Sequence, residues 1–462
     1  MAVRQRRLQV TRGEERGVSH EICPVTEAWG KEGCRAPALP TGPESLTTEH
    51  GRCWPGPKTP LEAYLGDAIP QKMICRIYDG MRHIDPCGLN SVPSEYVIRD
   101  QFSIFMSEIL KGNAGEKSKM IMKMLLVPCS SVRAGHIQEF TEDLITSVVH
   151  VLYYRNELKG WNMKRCQDFT AGVRPLASQL LSSLKQGGPP IPDKTCDCSL
   201  LEDWLLKVPQ ISTFLNVIIR RGFLVLNSYT EIAGFIPECK DGRDFMSLLN
   251  IPAIIYINSY LPSSLQHTWR LIFSSQIHGY SFAKFCGNII DRGPCIIVIR
   301  DRDGYIFGGF ASHSWAVKSH FQGDCRSFLF TIFPNIAVYT YSGYNDHYMY
   351  LNFGQQTMPN GLGMGGQLDY FGLWIDCDFG KGHSKANPRC STYNSPQLSC
   401  RENFEIDCLE VWAVGDFQCC EKSTCKKNVL DNEKEVHCLL EMIGKCRHSE
   451  GVRNPCDDED DD

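Results

Sequence analysis

The sequence predicts an α+β fold with helices in front, a two-sheet β region behind and one helix near the end. Three observations carry that reading. Apolar residues recur at helical spacing from Leu61 to about Leu184. From about Asp244 the period gives way to short β-branched and aromatic runs between glycine-rich turns, the pattern of two packed sheets. Asn432 to Arg447 then returns to a helical period. At 462 residues the chain has room for roughly three domains and for more than one sizeable core.

Composition narrows the class. Hydrophobic residues make up 42% and charged residues 22%, which excludes a wholly disordered chain, a collagen and a coiled-coil rod. Net charge is -5, and Asp457 to Asp462 alone carry six negative charges, so the body is near neutral. No basic domain marks a nucleic-acid partner. The chain holds 23 cysteines. Its start, Met1-Ala2-Val3-Arg4-Gln5-Arg6-Arg7, has no apolar core, so the expectation is no secretory signal and reduced thiols in place of a disulfide framework. The most apolar stretch, Phe214 to Leu226, is interrupted by Arg220 and Arg221, and no membrane-spanning helix is expected. Ala2 stands where myristoylation needs glycine, so N-terminal lipidation is not supported.

Residues 1–58 are rich in Gly, Pro, Arg and Glu without apolar period and read as disordered. Residues 59–186 form a helical, EF-hand-like region. Phe102, Phe105, Met106, Ile109 and Leu110 make one stripe, which Lys111-Gly112-Asn113 ends. Met120 to Val127 gives a second helix, and Ile137, Phe140, Leu144, Val148 and Val151-Leu152 a third. Residues 187–243 hold a linker, Gly187-Gly188-Pro189-Pro190-Ile191-Pro192, and then helical stretches at Leu200 to Leu206 and Ile211 to Ile219. Leu265 to Ser274 reads as a further helix. Cys295 to Arg300 and Tyr305 to Phe310 flank Asp301-Arg302-Asp303-Gly304 as a hairpin. Strands are expected at Phe328 to Phe333, Ala337 to Tyr341, Tyr348 to Phe353, Tyr370 to Asp376 and Phe404 to Val414. Residues 417–456 give a polar tether and a C-terminal helix, and 457–462 an acidic tail.

The chemical motifs read mostly as structure. Gly361-Leu362-Gly363-Met364-Gly365-Gly366 fits a dinucleotide pattern, but a strand follows it where a helix is needed, so a flexible β-connection is the better reading. Asp85 to Tyr96 has the length of a calcium loop, yet Cys87, Leu89 and Tyr96 stand where oxygen ligands belong, and an ion-free helix pair is expected. Cys196 and Cys198 are too close for a usual ligand pair and read as loop residues. Nine cysteines lie from Cys390 to Cys456, but only Cys420 and Cys425 have zinc-type spacing. No nucleophile elbow, metalloprotease helix or phosphate loop occurs, and Asp346-His347, the best polar cluster, reads as a surface or structural hydrogen-bond cluster. The expectation is a non-enzymatic protein with no catalytic residue, metal or cofactor.

Several motifs in order carry a resemblance. Leu271-Ile272-Phe273-Ser274-Ser275 with His278-Gly279-Tyr280-Ser281-Phe282, then Gly308-Gly309-Phe310-Ala311-Ser312 with Trp315, resemble the opening and centre of a TLDc domain. Gly354 to Gly366, Phe371-Gly372-Leu373-Trp374-Ile375 and Phe404 to Gly415 continue it, over residues 244–416. The matching signature positions, Gly308, Gly309, Trp315, Gly361, Gly363, Gly366, Trp374 and Trp412, are expected to be structural. Upstream, Tyr78-Asp79-Gly80-Met81-Arg82, Lys123-Met124 and Phe140-Thr141-Glu142-Asp143-Leu144 extend the likeness, toward the branch of the family associated with mTOR at lysosomes. The resemblance implies a TLDc sandwich with flanking helices and a scaffold that recruits mTOR to lysosomes and supports its signalling to growth, proliferation and migration. It implies residence in the cytoplasm and at the cytosolic face of the lysosomal membrane, as a peripheral protein. The wider family implies the alternatives, a redox-protective role or regulation of the vacuolar proton-pumping ATPase, which is then a second candidate partner. No catalytic residue carries over.

The candidate partner-binding element is the C-terminal helix. Asn432 can cap it with Glu435 three residues on, and Val436, Leu439, Leu440, Ile443 and Cys446 form one apolar stripe. A helix of this length is marginal alone, so the stripe must dock, either on its own sandwich or in a partner's groove.

Overall fold

The computed structural model describes residues 65–86, 97–125, 131–162, 170–185, 195–223, 234–240, 245–355, 358–367 and 369–415. The N-terminal segment, most of the Asp85 to Tyr96 loop, the 187–192 linker, the tether and the C-terminal helix lie outside them.

The front part is helical, as the apolar stripes require. It comprises α1 (Gln71–Arg82), α2 (Arg99–Lys111), α3 (Ala114–Met124), β1 (Ser131–Arg133), α4 (Ala134–Tyr154), α5 (Val173–Leu180), β2 (Thr195–Asp197), α6 (Cys198–Lys207) and α7 (Pro209–Gly222). Phe102, Phe105, Met106 and Ile109 of α2 are buried. Gly112 ends α2, and Asn113 begins α3 with a capping box. Its Oδ1 accepts from Glu116 N at 2.9 Å, and Glu116 Oε2 accepts from Asn113 N at 2.8 Å. That cap explains why α3 starts six residues before Met120, where the apolar period begins. The two cysteines read as loop residues are placed otherwise. Cys196 sits in β2 opposite Val132 of β1, both buried, and Cys198 opens α6. Arg76 of α1 grips Asp143 of α4 with Nε at 2.9 Å and Nη2 at 2.8 Å. Among the described residues no helix is long and apolar enough to cross a membrane.

β3 (Glu238–Lys240) and α8 (Ile251–Asn258) lead into the sheet region. There follow β4 (Thr268–Ser274), α9 (Ser275–His278), α10 (Phe282–Ile289), β5 (Cys295–Asp301), β6 (Ile306–Ala311), β7 (Phe328–Phe333), β8 (Ala337–Tyr339), β9 (Tyr350–Asn352), β10 (Gly361–Gln367), β11 (Tyr370–Asp376), β12 (Lys381–His383) and β13 (Asn403–Val414). Two expectations are corrected here. Leu265 to Ser274 is not a helix: Thr268 onward is a strand, paired antiparallel with β13 and parallel with β3. Gly361 to Gly366 is not a flexible connection: it is β10, paired with β9 and β11.

The expected pair of sheets is one continuous eleven-stranded sheet folded on itself, in the order β8-β7-β6-β5-β13-β12-β11-β10-β9 with β4 and β3 branching from β13. β13 is the pivot. Its first residues pair with β12 and its last with β4, while β5 runs along its other edge. The two arms share an apolar core in which Ile297, Ile299, Leu329, Leu409 and Val411 meet Leu362, Met364, Leu373 and Ile375. The alternate residues Ile296, Val298, Trp412 and Val414 join the core of the helical part. Strands buried on both faces read as unbroken apolar runs, which is the pattern of Cys295-Ile296-Ile297-Val298-Ile299. The helices therefore form a third layer on one arm.

Candidate functional site

The signature residues are explained by packing. A Cβ on Gly309 would come within 2.6 Å of Met364 Sδ in the opposite arm, and one on Gly363 within 2.6 Å of the Phe371 ring. One on Gly361 would overlap the Trp374 indole, and one on Gly308 the Ile297 carbonyl. Bare strands β6 and β10 thus let a facing layer or a ring lie directly on backbone. Gly366 has φ +86° and backs onto the Tyr370 carbonyl, a position no side chain tolerates. Over β10 and β11 run the stacked rings of Tyr350, Phe371, Trp374 and His383, with Phe371 and Trp374 4.7 Å apart. Trp315 is fully buried and donates Nε1–H to Cys295 Sγ at 3.2 Å.

An open cleft of about 560 Å³ lies where the β5–β6 turn meets β11, β12 and the start of β13. Arg302, Asp303, Asp376, Lys381, Arg401 and Glu405 rim it, above Trp374, His383 and Phe404. The rim charges largely neutralise one another: Arg302 pairs with Glu405, and Arg401 stands 3.6 Å from Asp303. These pairs are solvated, so each contributes little. Burial, aided by Lys385, pushes His383 down to about 4, so the ring is neutral at pH 7. A general base works best with a pKa near the operating pH, which His383 lacks.

Three other clusters invite a chemical reading. Ser312 Oγ lies 3.0 Å from His313 Nδ1, and Asp324 Oδ2 lies 3.8 Å from the same nitrogen. A charge-stabilised nucleophile needs acid and hydroxyl on opposite ring nitrogens, so this is no triad. Ser312 is buried and also accepts from Ser327 Oγ and Asp324 N, a structural hydrogen-bond cluster. Asp346 accepts from Tyr348 OH at 2.9 Å, while His347 donates Nδ1–H to the Gly366 carbonyl and stacks on Phe321 at 4.1 Å. The pair is a structural clamp on the β10 turn. Among the thiols, burial pushes Cys286 and Cys295 up to about 12 and also raises Cys377, Cys390 and Cys408. Cys400 is raised by its bond to Asp303, 3.1 Å away. The thiolate is the reactive form, so these six are poor nucleophiles at neutral pH. Among the described residues no group of three or more His, Cys, Asp or Glu could hold a metal ion.

One residue went unnoticed in the sequence. Glu410 is fully buried on the helix-facing side of β13, beside Trp412. A lone acid in Leu409-Glu410-Val411-Trp412-Ala413-Val414 was the available signal. Oε1 accepts from Leu248 N at 2.7 Å, and Oε2 accepts from Ser247 Oγ at 2.8 Å and Trp412 Nε1 at 3.1 Å. Trp412 also packs against Trp161, which itself meets Trp269 edge-on at 5.8 Å. Trp161 follows α4, so this aromatic cluster is the junction of helices and sheet. The candidate partner residues Val436, Leu439, Leu440 and Ile443 lie outside the described residues.

A family model described as the TLDc domain matches residues 243–415. The chain is 57% identical over 414 residues to "MTOR-associated protein MEAK7" of Gallus gallus, covering 87% of this chain and 88% of that protein. It is 52% identical over 407 residues to the Homo sapiens protein of the same name, covering 86% and 89%. Homo sapiens "Nuclear receptor coactivator 7" is 34% identical over 173 residues, which is 37% of this chain and 17% of that protein.

Proposed function

This chain belongs to the MEAK7 family of TLDc-domain proteins, and from that premise we propose that it associates with mTOR as a non-enzymatic scaffold. In this reading it recruits mTOR to the cytosolic face of lysosomes from the cytoplasm and supports mTOR signalling to growth. The observation that carries the proposal is the span of the likeness. Identity of 57% runs over 87% of the chain, across helices and sheet alike. The relative is mTOR-associated by name, and this chain retains the unit that name belongs to. The neutral His383 and the poorly nucleophilic thiols are in keeping with a binding role.

The proposal includes an EF-hand-like helix pair, α1 and α2, that works without calcium. It includes the apolar stripe Val436, Leu439, Leu440 and Ile443 as the partner contact. The vacuolar proton-pumping ATPase is the second partner to test. A redox-protective role is less well supported, because six described thiols are shifted away from reactivity.

The test is capture of purified mTOR complex on the immobilised full chain, with lysosome recovery measured in cells expressing it. Saturable capture and lysosomal enrichment of mTOR are expected. Absence of capture by a folded chain sinks the association, and capture without enrichment sinks the recruitment step. Leu440→Glu should abolish capture and leave melting unchanged. A fall in melting instead would place the stripe on the protein's own core.

A further inference from the structure

We propose that Glu410 is a protonation-controlled latch that sets how firmly the helical layer is held on the β4–β5–β13 arm of the sheet. The geometry is that of a latch. Glu410 is fully buried, and its two oxygens take three donors, of which Leu248 N and Ser247 Oγ come from the segment entering α8. Ser247 Oγ in turn accepts from Leu249 N at 3.1 Å, so the segment folds around the carboxyl group. Asn250 then caps α8 by accepting from Ala253 N, and every residue of α8 is buried. The third donor, Trp412 Nε1, belongs to the aromatic junction with Trp161. One carboxyl group thus ties the chain feeding the helical core to the central strand.

The surroundings make its charge state matter. β5 contributes Arg300, which is committed to Asp407 at 2.7 Å and attracts Glu410 only weakly. β13 contributes the Cys408 thiol, pushed up mainly by burial and further by Glu410. β4 places Ser274 opposite, and residues 245–249 bring no ionisable side chain. Burial therefore dominates and lifts the Glu410 carboxyl from 4.5 to about 7, although its three donors pull the other way. The folded-state value is raised, so the stabilising proton is held in full below pH 4.5 and lost as pH rises through about 7. The ionised form keeps its three bonds but is desolvated, so the latch loosens above neutrality and tightens on mild acidification.

Hydrogen exchange on the full chain tests this, followed over residues 245–258 from pH 6 to pH 8 and corrected for intrinsic exchange. In the wild type the opening equilibrium of this segment should rise several-fold, bounded by tenfold per pH unit for one proton. In Glu410→Gln, which stays neutral, it should be flat. Equal pH slopes in the two proteins overturn the proposal. Infrared difference spectra of the wild type between the same pH values decide the matter if the variant does not fold. A buried carboxylic C=O band lost on raising the pH supports the latch, and its absence overturns it.

Discussion

The indole rings of Trp161 and Trp412 meet with centroids 4.9 Å apart, one from the segment after α4 and the other from β13. Both are buried, and each N–H is satisfied: Trp161 donates to the Pro237 carbonyl at 2.9 Å and Trp412 to Glu410. Buried aromatic pairs with satisfied polar edges are among the costliest to truncate. Trp412→Ala should cost about 3–5 kcal/mol. In urea, far-ultraviolet circular dichroism and tryptophan fluorescence should still report one coincident transition at a lower midpoint. A loss below about 1 kcal/mol would mean that the junction is loosely packed.

The glycines separate two kinds of penalty. Gly363 is extended, so its reason for being glycine is the Phe371 ring and not its φ. Gly363→Val should cost about 1–3 kcal/mol by overpacking. Gly304, in the β5–β6 turn, has φ +86° and open space where a Cβ would go. Gly304→Ala should cost only the left-handed strain, about 1–2 kcal/mol. Pairing Gly363→Val with Phe371→Ala should recover part of its loss, whereas Gly304→Ala should be indifferent to that change. Melting of the three single variants and the two double variants checks both statements.

How far the fold could be read in advance differs by element. The β5–β6 hairpin was legible because Asp301 to Gly304 interrupt two apolar runs, and the register Ile296↔Phe310 follows. α2, α3, α4, α6 and α7 were legible from their apolar runs, whereas α8, buried on every side, carries no stripe and was not expected. β4 misled, because Leu265, Trp269, Ile272 and Phe273 fall at i, i+4, i+7 and i+8, spacing that a helix shares. What decides for strand is the offer of backbone partners by β3 and β13, which no local pattern encodes. β10 misled for another reason: glycine disfavours strands, and the pairing with β9 and β11, the core contacts of Leu362 and Met364 and the rings of Phe371 and Trp374 over it come from elsewhere in the chain. Glu410 went unnoticed although it is an acid in an apolar run, because its partner Ser247 is 163 residues away.

His383 gives a pH dependence of its own. Its folded-state value is lowered from 6.5 to about 4, so its neutral form stabilises the fold in full above pH 6.5. That contribution is lost as pH falls from 6.5 through 4. His383→Phe keeps the stack on Trp374 and should flatten the fall in melting temperature between those values. An unchanged acid limb would show that other groups set it.

Calcium should not bind between Asp85 and Tyr96, because Cys87, Leu89 and Tyr96 replace oxygen ligands there. Titration calorimetry on the full chain should give no heat at micromolar calcium. A binding isotherm that disappears in Asp85→Ala would contradict this.

α2, α4, α8, β5 and β13 share one apolar core, so helices and sheet should unfold as one cooperative body. Native-state hydrogen exchange under rising denaturant measures this directly, comparing α4 amides with those of β5 and β13. Their opening free energies should merge into one global isotherm, the result expected of a single cooperative body. An independent, lower-energy opening of α4 with β5 and β13 still protected would contradict it.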